Sequence, residues 1–396
     1  MKAVILAAGQ GTRMRPLTDR RPKVMLPIGN KPILEHIIDE AVDAGIQEFV
    51  IVCGYMENSI REYFGDGLQK SVSIEYVLQE KQNGTGHAIG CAEDYVDDRF
   101  IVLNGDMLIS SVQIKNLIDR SEDAVLTAKE VEDPCNFGVI CTGGEKVTRI
   151  VEKPENPPTN LANAGIYLFP QAIFDHIRRT PESPRGEIEI TDSIQMLIDS
   201  GASVGYEVFR DVWIDIGRPW DLLTANKHVL FGLEGNIEGE VEPNATLKGE
   251  VIVGEGTVIR NGAYIIGPVV IGKDCDIGPN CFIRPSTAIG DNVRIGNAVE
   301  IKNCVVMDNT NIGHLSYVGD SVIGQDCNFG AGTKVANLRH DGRTIRVMVK
   351  GEKVDSGRRK LGVIMGDDVH TGINTCINVG CVLKTGRCTG LGEIVK

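Results

Sequence analysis

Ile271-Gly272-Lys273-Asp274-Cys275-Asp276-Ile277-Gly278-Pro279-Asn280-Cys281-Phe282-Ile283 carries one aliphatic residue every six positions. Outward from it the register holds at Val241, Leu247, Val253, Ile259, Ile265, Ile271, Ile277, Ile283, Ile289, Ile295 and Ile301, eleven positions without a slip. Glycine often follows directly, as in Val253-Gly254, Ile289-Gly290 and Ile295-Gly296. Six is not a helical period, and long helical patterns vanish here. Such a repeat predicts a hexapeptide β-helix, each hexapeptide forming one side of a coil that stacks on the next.

The period runs on through Ile312, Val318, Ile323, Phe329 and Val335 with one-residue slips. It breaks at 337–361, where eight cations (Arg339, Arg343, Arg346, Lys350, Lys353, Arg358, Arg359 and Lys360) face Asp341, Glu352 and Asp355. Repeats resume loosely around Met365-Gly366, Thr371-Gly372, Val379-Gly380 and Leu391-Gly392.

Ahead of the coil the chain reads differently, which divides it into domains 1–232 and 233–396. Ala3-Val4-Ile5-Leu6, Phe49-Val50-Ile51-Val52-Cys53, Ile74-Glu75-Tyr76-Val77-Leu78 and Phe100-Ile101-Val102-Leu103 are apolar runs of strand type. Residues 32–45 predict a helix with Ile33, Leu34, Ile37, Ile38, Ala41 and Val42 on one stripe, opened by proline and closed by glycine. Helix 56–64 follows, then strands at 147–151, 164–169, 204–208 and 212–216 and helices at 188–199 and 220–229. This β-α alternation predicts an open, mainly parallel sheet covered on both faces, with ligands beyond the carboxyl ends of its strands.

Two sequences sit at such strand ends. Leu6-Ala7-Ala8-Gly9-Gln10-Gly11-Thr12-Arg13-Met14, with Pro22-Lys23 after it, offers glycine backbone to a phosphate chain and cations to neutralise it. Its spacing is neither a dinucleotide fingerprint nor a P-loop. Asn104-Gly105-Asp106 ends another strand, and Asp215 lies in Trp213-Ile214-Asp215-Ile216-Gly217. Two separated carboxylates suit Mg²⁺, which keeps phosphate and water ligands; equally, each aspartate reads as the cap of a turn. Gln79, ahead of Gly84-Thr85-Gly86-His87-Ala88, matches a pyrimidine edge by donating and accepting at once, or marks a helix start capped by Thr85. Along the coil, Arg284, Lys302, His314 and Tyr317 fall in repeat register. Neutral imidazole suits a general base and the cations suit a phosphate; solvated turn residues would look the same.

A net charge of −13 argues against a nucleic-acid or acidic-membrane surface. Eleven scattered cysteines without C-x-x-C read as reduced thiols of a cytoplasmic protein. No apolar run approaches a membrane span, and Met1-Lys2 opens a strand.

Taken together the motifs resemble the bifunctional N-acetylglucosamine-1-phosphate uridylyltransferase / glucosamine-1-phosphate N-acetyltransferase family, in the short form associated with archaea. The resemblance spans nearly the whole chain: the loop from Leu6 to Met14 with Lys23, Leu78-Gln79 with 84–88, Asn104-Gly105-Asp106, Glu152-Lys153, Asn163-Ala164-Gly165, Trp213-x-Asp215, and in the coil Arg284, Glu300-Ile301-Lys302, Gly313-His314-Leu315-Ser316-Tyr317, Asn328 and Gly330-Ala331-Gly332-Thr333. It implies an α/β Rossmann-like nucleotidyltransferase domain followed by an all-β left-handed parallel β-helix, against the usual crossover hand.

The resemblance also implies roles. Arg13 and Lys23 would hold the triphosphate and the departing pyrophosphate, with Leu6, Ala8, Gly9, Gly11, Thr12 and Thr85 around the nucleotide. Gln79 and Gly84 would read uracil, and Asp106 and Asp215 would hold Mg²⁺. Gly138, Glu152 and Asn163 would contact the sugar and Lys153 its phosphate. In the coil, His314 would take a proton from the attacking amine. Arg284 and Lys302 would hold the sugar phosphate, and Tyr317 and Asn328 would place the sugar. Ala331, Asn337 and Lys360 would meet acetyl-CoA, Lys360 standing in for a lysine that the 337–361 insertion displaces. The implied substrates are UTP, acetyl-CoA and amino-sugar 1-phosphates (glucosamine or galactosamine). The implied assembly is a homotrimer or a dimer of trimers, with acetyl-transfer sites between subunits. Two rivals share the two-part plan: a single-activity glucose-1-phosphate uridylyl- or thymidylyltransferase with a structural coil, and a non-catalytic assembly subunit. Intact His314 and Tyr317 oppose the first; intact Arg13, Lys23, Asp106 and Asp215 oppose the second.

Overall fold

The computed structural model describes residues 1–396, the side chain of Gln69 excepted. It forms two compact units: Met1–Gln10 with Ile33–Asp215, and Gly11–Pro32 with Ile216–Lys396.

In the first unit the apolar runs become a nine-stranded sheet. Its order is Ser73–Leu78, Glu48–Cys53, Lys2–Ala7, Phe100–Asn104, Leu161–Phe169, Ala124–Glu130, Val204–Val208, Lys146–Glu152 and Gly138–Gly143. The first four strands are parallel. They carry apolar side chains on both faces: Ala3, Val4, Ile5, Val50, Ile51 and Val102 are all buried. The sheet as a whole is mixed, which corrects the expectation of a mainly parallel one. Leu161–Phe169 runs antiparallel to both neighbours, and Gly138–Gly143 and Lys146–Glu152 form an antiparallel pair. Helix Ile33–Asp43 buries its predicted stripe at Ile33, Leu34, Ile37, Ile38 and Ala41. Gly45, at φ 93°, supplies the left-handed turn that ends it.

In the second unit three parallel sheets of eight, seven and eight strands form the faces of a coil, the left-handed parallel β-helix that the repeat implies. Val251 pairs with Val269 and Val269 with Thr287, so one turn takes 18 residues, three hexapeptides. The register residues point inward: Ile259, Ile265, Ile271, Ile277, Ile283, Ile289, Ile295 and Ile301 form one continuous core. Each such burial contributes about 1.5–3 kcal/mol. Corners fall at Asp274, Asn280, Asn292, Asn303 and Asn309, with φ between 49° and 57°. Asn and Asp tolerate the left-handed region better than other side chains with a Cβ, which explains why they recur there.

The slips have a physical form. Ala288 pairs with Val305 and Val305 with Val322, turns of 17 residues, because Ile301 is followed five residues later by inward Val306 and Val318 by inward Ile323. Val322 then pairs with Ile364, across the insertion. Past it the inward positions are Met365, Thr371, Ile377 and Leu383, a strict period of six. This corrects the expectation at Val379 and Leu391. Gly380 belongs to a corner at φ 65°, and Leu391 is exposed; the glycines there mark turns, not the residue after a core position.

The insertion folds as a hairpin of Arg346–Val349 and Glu352–Asp355. Lys350 (φ 50°) and Gly351 (φ 87°) make the two-residue turn that right-twisted strands favour. Ile345 and Val347 are buried against the Gly380 corner, where a Cβ would lie 2.6 Å from Ile345 Cγ2. Arg358 Nη1 donates to Thr224 Oγ1 at 2.9 Å, tying the insertion to helix Asp221–Phe231.

Segment Gly11–Pro32 is bonded to the same coil. Arg21 donates to both carboxylate oxygens of buried Asp367 at 3.0 and 2.9 Å, and to Gln325 Oε1. Thr385 Oγ1 donates to Asp19 Oδ2 at 3.0 Å, and Asn30 Nδ2 to the Ile289 carbonyl at 2.5 Å.

Candidate active sites

In the first unit, strand Lys2–Ala7 runs out into Ala8-Gly9. Leu6 is the register partner of Asn104, and the Leu6 carbonyl accepts from Gly105 N at 3.0 Å. Both chain ends therefore leave the sheet side by side. The Ala8 carbonyl is held by Gln82 Nε2 at 2.7 Å, and a Cβ on Gly9 would meet nothing within 4 Å. Past Asp106, Met107–Leu108 pairs antiparallel with Ile214–Asp215, Met107 directly opposite Asp215. The two half-buried carboxylates thus occupy neighbouring positions of one short ladder. Among the described residues no cluster of three or more metal-ligating side chains occurs. Two carboxylates fit a cation that takes few protein oxygens, so Asp106 and Asp215 suit Mg²⁺.

Gln79 is buried, and its Nε2 lies 3.3 Å from the Gly84 carbonyl and 2.9 Å from His87 Nδ1. The Gly84 carbonyl accepts from the first; Gln79 and Gly84 therefore do come together. Gly84 is required by the chain itself, because a Cβ there would lie 2.5 Å from the Ile188 carbonyl oxygen. Thr85 caps another helix than its own: its Oγ1 accepts from Ile190 N at 3.2 Å, at the start of Ile190–Asp199.

The sugar candidates also converge. A Cβ on Gly138 would lie 3.2 Å from Glu152 Oε2 and 3.4 Å from Asn163 Cβ. Lys153, at φ 39°, turns its Nζ to within 3.2 Å of Glu152 Oε1. Asn163 Nδ2 donates to Tyr167 Oη at 2.7 Å. Sequence reading missed the group behind Glu152. Arg185 donates to Glu152 at 3.1 Å and to Glu189 at 2.7 Å, and Thr191 donates to Glu152 Oε2 at 3.2 Å. Burial, with the nearby Glu152 charge, pushes the Glu189 and Asp192 carboxyls up from the ordinary range. Nothing in the local pattern announces this cluster, since its members come from separate strands and helices.

In the second unit, Gly11 (φ 60°) packs against Lys23, whose Cβ would be 2.9 Å from a Cβ there. Lys23 is buried. Thr12 and Arg13 lie on the single turn Thr12–Met14, and Arg13 is exposed with no ion pair among the described residues.

On the coil, Arg284 and Lys302 are register partners on one sheet face, and Glu300 pairs with Tyr317 on the next rung. Arg284 is ion-paired to Glu300 at 2.9 Å. Lys302 reaches Asp320 Oδ2 at 3.3 Å, Asn337 Nδ2 donates to the same oxygen at 2.6 Å and Asn303 Nδ2 to Oδ1 at 2.7 Å. Asn337 Nδ2 also lies 3.1 Å from Tyr317 Oη. Gly319 makes room: a Cβ there would lie 2.6 Å from Tyr317 Oη. Burial raises the Tyr317 hydroxyl pKa, so it stays protonated as a donor.

His314 sits at the corner before this face, exposed, and lines a cavity of about 630 Å³ with Arg294, Asn297, Asn311 and Asn328. Arg294, Asn311 and Asn328 are successive rungs, each just before an inward residue. That 17-residue spacing was the available signal for Arg294 and Asn311, which sequence reading passed over. Ala331 lies one turn above His314, whose carbonyl accepts from Gly332 N at 2.9 Å. Lys360 is exposed and bridges to Leu338, beside Asn337. All eleven cysteines are free; burial pushes the Cys304 and Cys327 thiols up to about 12. No helix is long and apolar enough to cross a membrane.

A mixed α/β sheet with paired carboxylates at its strand ends, on one chain with a β-helix bearing an exposed histidine, defines a nucleotidyltransferase joined to a hexapeptide-repeat domain. Residues 2–231 match the family described as nucleotidyl transferase, and residues 265–388 match the GMPPB C-terminal domain. The chain is 44% identical over 393 residues to a protein of Methanocaldococcus jannaschii named bifunctional protein GlmU, covering 99% of this chain and 93% of that one. It is 42% identical to the bifunctional sugar-1-phosphate nucleotidylyltransferase/acetyltransferase of Sulfurisphaera tokodaii, all of both chains being covered. A structure of UDP-glucose pyrophosphorylase complexed with UDP-glucose is similar at TM-score 0.54 and 29% identity, covering 59% of this chain and 99% of that one. The chain belongs to the family of bifunctional sugar-1-phosphate nucleotidylyltransferase/acetyltransferases. It is an enzyme of two activities, a nucleotidyltransferase and an acetyltransferase.

Proposed function

We propose that the chain acetylates glucosamine 1-phosphate with acetyl-CoA and then couples the N-acetylglucosamine 1-phosphate to UTP, giving UDP-N-acetylglucosamine and pyrophosphate. Residues 1–232 carry the second reaction and 233–396 the first. The observation that carries this reading is the set Lys302–Asp320–Asn337–Tyr317 on the outer face of the coil. A coil that only scaffolds has no use for a buried carboxylate holding a lysine and an amide in fixed positions.

In acetyl transfer, Arg284 and Lys302 hold the sugar phosphate, and Tyr317, Asn328 and Asn337 set the sugar. The amine nitrogen attacks the thioester carbonyl carbon, His314 takes the proton that leaves nitrogen, and the thiolate departs with a proton. Ala331, Asn337 and Lys360 meet the acyl carrier. In uridylyl transfer the phosphate oxygen of the sugar attacks the α-phosphorus of UTP and pyrophosphate leaves. Arg13 and Lys23 neutralise the triphosphate along the backbone of Leu6, Ala8, Gly9, Gly11 and Thr12. Gln79, Gly84 and Thr85 position the base. Gly138, Glu152 and Asn163 orient the sugar, and Lys153 its phosphate. No protein nucleophile is needed, so catalysis is positioning and charge neutralisation. Mg²⁺ held by Asp106 and Asp215 would supply further neutralisation of the phosphates.

The working assembly is a homotrimer or a dimer of trimers, and the free thiols suit a cytoplasmic setting. The test is product analysis with purified protein, UTP, acetyl-CoA and a panel of sugar 1-phosphates. Acetylated UDP-amino sugar is the expected product; activation of glucose 1-phosphate alone, with no acetyl transfer, would overturn the reading.

A further inference from the structure

The insertion hairpin and the coil corner at 378–384 line a cavity of about 880 Å³, to which Arg15 and Pro16 also contribute. Six cations face it: Arg15, Arg339, Arg346, Lys350, Lys353 and Lys384. Asp19 is the one acidic side chain in the lining among the described residues. Arg339 is already paired with Asp341 at 2.6 Å, and Arg15 with Asp19 at 3.7 Å. Lys350, Lys353 and Lys384 enter no ion pair among the described residues. Such a concentration of positive charge repels itself, and it stands in a chain of net charge −13. A merely solvated loop would turn its cations away from one another. These converge on a shared space whose wall is apolar, from Ile345, Val379 and Val382. The hairpin is held in place by the close approach of Ile345 to Gly380, so the cavity is built from ordered parts.

We propose that this cavity binds a diphosphate-bearing nucleotide, the phosphates on the lysines and arginines and the base on the apolar wall. The volume is that of a small-molecule site, and guanidinium and ammonium groups beside an apolar surface are the chemistry that recognises such a ligand. None of the lining residues belongs to the acetyl-transfer or uridylyl-transfer sets above. Two ligands of this chemistry follow from the proposed function, on which only their identity rests: coenzyme A as co-substrate and the UDP-sugar as product. Arg15 stands two residues after Arg13 in the signature loop, so an occupant of the cavity touches that loop directly.

Calorimetric titration of the full chain with coenzyme A and, separately, with UDP-N-acetylglucosamine tests this. For one of the two ligands, Lys353→Glu/Lys384→Glu should weaken one set of sites at least tenfold, and raised salt should weaken the wild type in the same direction. Rates of both reactions at saturating substrates should stay within about twofold. The milder Lys353→Ala/Lys384→Ala serves if charge reversal impairs folding. Loss with coenzyme A names the co-substrate, and loss with the UDP-sugar names the product. Isotherms unchanged by the substitutions for both ligands would overturn the proposal. A chain lacking either enzymatic activity yet showing the tenfold loss would refute the functional reading and leave the binding site standing.

Discussion

The two units bring polar groups together in opposite ways. In the sheet unit, Asp106, Asp215, Glu152 and Asn163 come from distant strand ends that topology makes neighbours. In the coil, Arg284 and Lys302, or Arg294, Asn311 and Asn328, are successive rungs of one ladder, 17 or 18 residues apart. A site of the first kind fails locally when one residue changes. A site of the second kind depends on register, because one residue gained or lost in a turn moves every later rung.

The largest test of this contrast is Asp106→Ala. It should lower uridylyl transfer by about 10³-fold or more, through lost metal and phosphate neutralisation, and leave acetyl transfer within twofold. Separate initial-rate assays decide it, and parallel loss of both would erase the distinction. Next, Ile295→Ala hollows the coil core and should cost about 2–5 kcal/mol in unfolding free energy, measured by denaturant titration. It should depress acetyl transfer more than uridylyl transfer at temperatures near unfolding. Asp320→Asn keeps the shape but removes the charge facing Lys302. Acetyl transfer should fall by about tenfold, roughly 1.4 kcal/mol, mostly in KM for the sugar phosphate. An unchanged KM would make Asp320 a purely structural group.

The smallest effect is in the sheet unit. Arg120 holds the Glu122 carboxyl down at about 2, from an ordinary 4.5. A depressed carboxylate stabilises the fold above its unfolded pKa, and the stabilisation is lost as pH falls from about 4.5 toward 2. Glu122→Gln should therefore cost about 1 kcal/mol at pH 7, allowing for solvent screening, and almost nothing near pH 2. Thermal midpoints at the two pH values check the sign.

Legibility followed the same divide. Eleven aliphatic residues in strict register announced the coil, because stacking forces one residue type onto one position. Val306 escaped because its turn is one residue short, and Asp320 because an acid at a left-handed corner (φ 51°) resembles any solvated turn. In the sheet unit the buried apolar strands were readable. Ala124–Glu130 was not, since Thr127 sits fully buried inside it, bonding the Ile166 carbonyl at 2.9 Å. The candidate residues at strand ends were nameable from motifs. Their partners Arg185, Glu189 and Thr191 were not, because only the fold brings them to Glu152.

The central claim is that one chain carries two separable reactions, and His314→Ala tests it most directly. Wild type and variant are given UTP with either glucosamine 1-phosphate plus acetyl-CoA or N-acetylglucosamine 1-phosphate alone, and the UDP-sugar formed is measured. The wild type should convert both. The variant should lose about 10²–10⁴-fold with the first mixture and keep its full rate with the second. Equal loss in both mixtures, or loss in neither, would contradict the account.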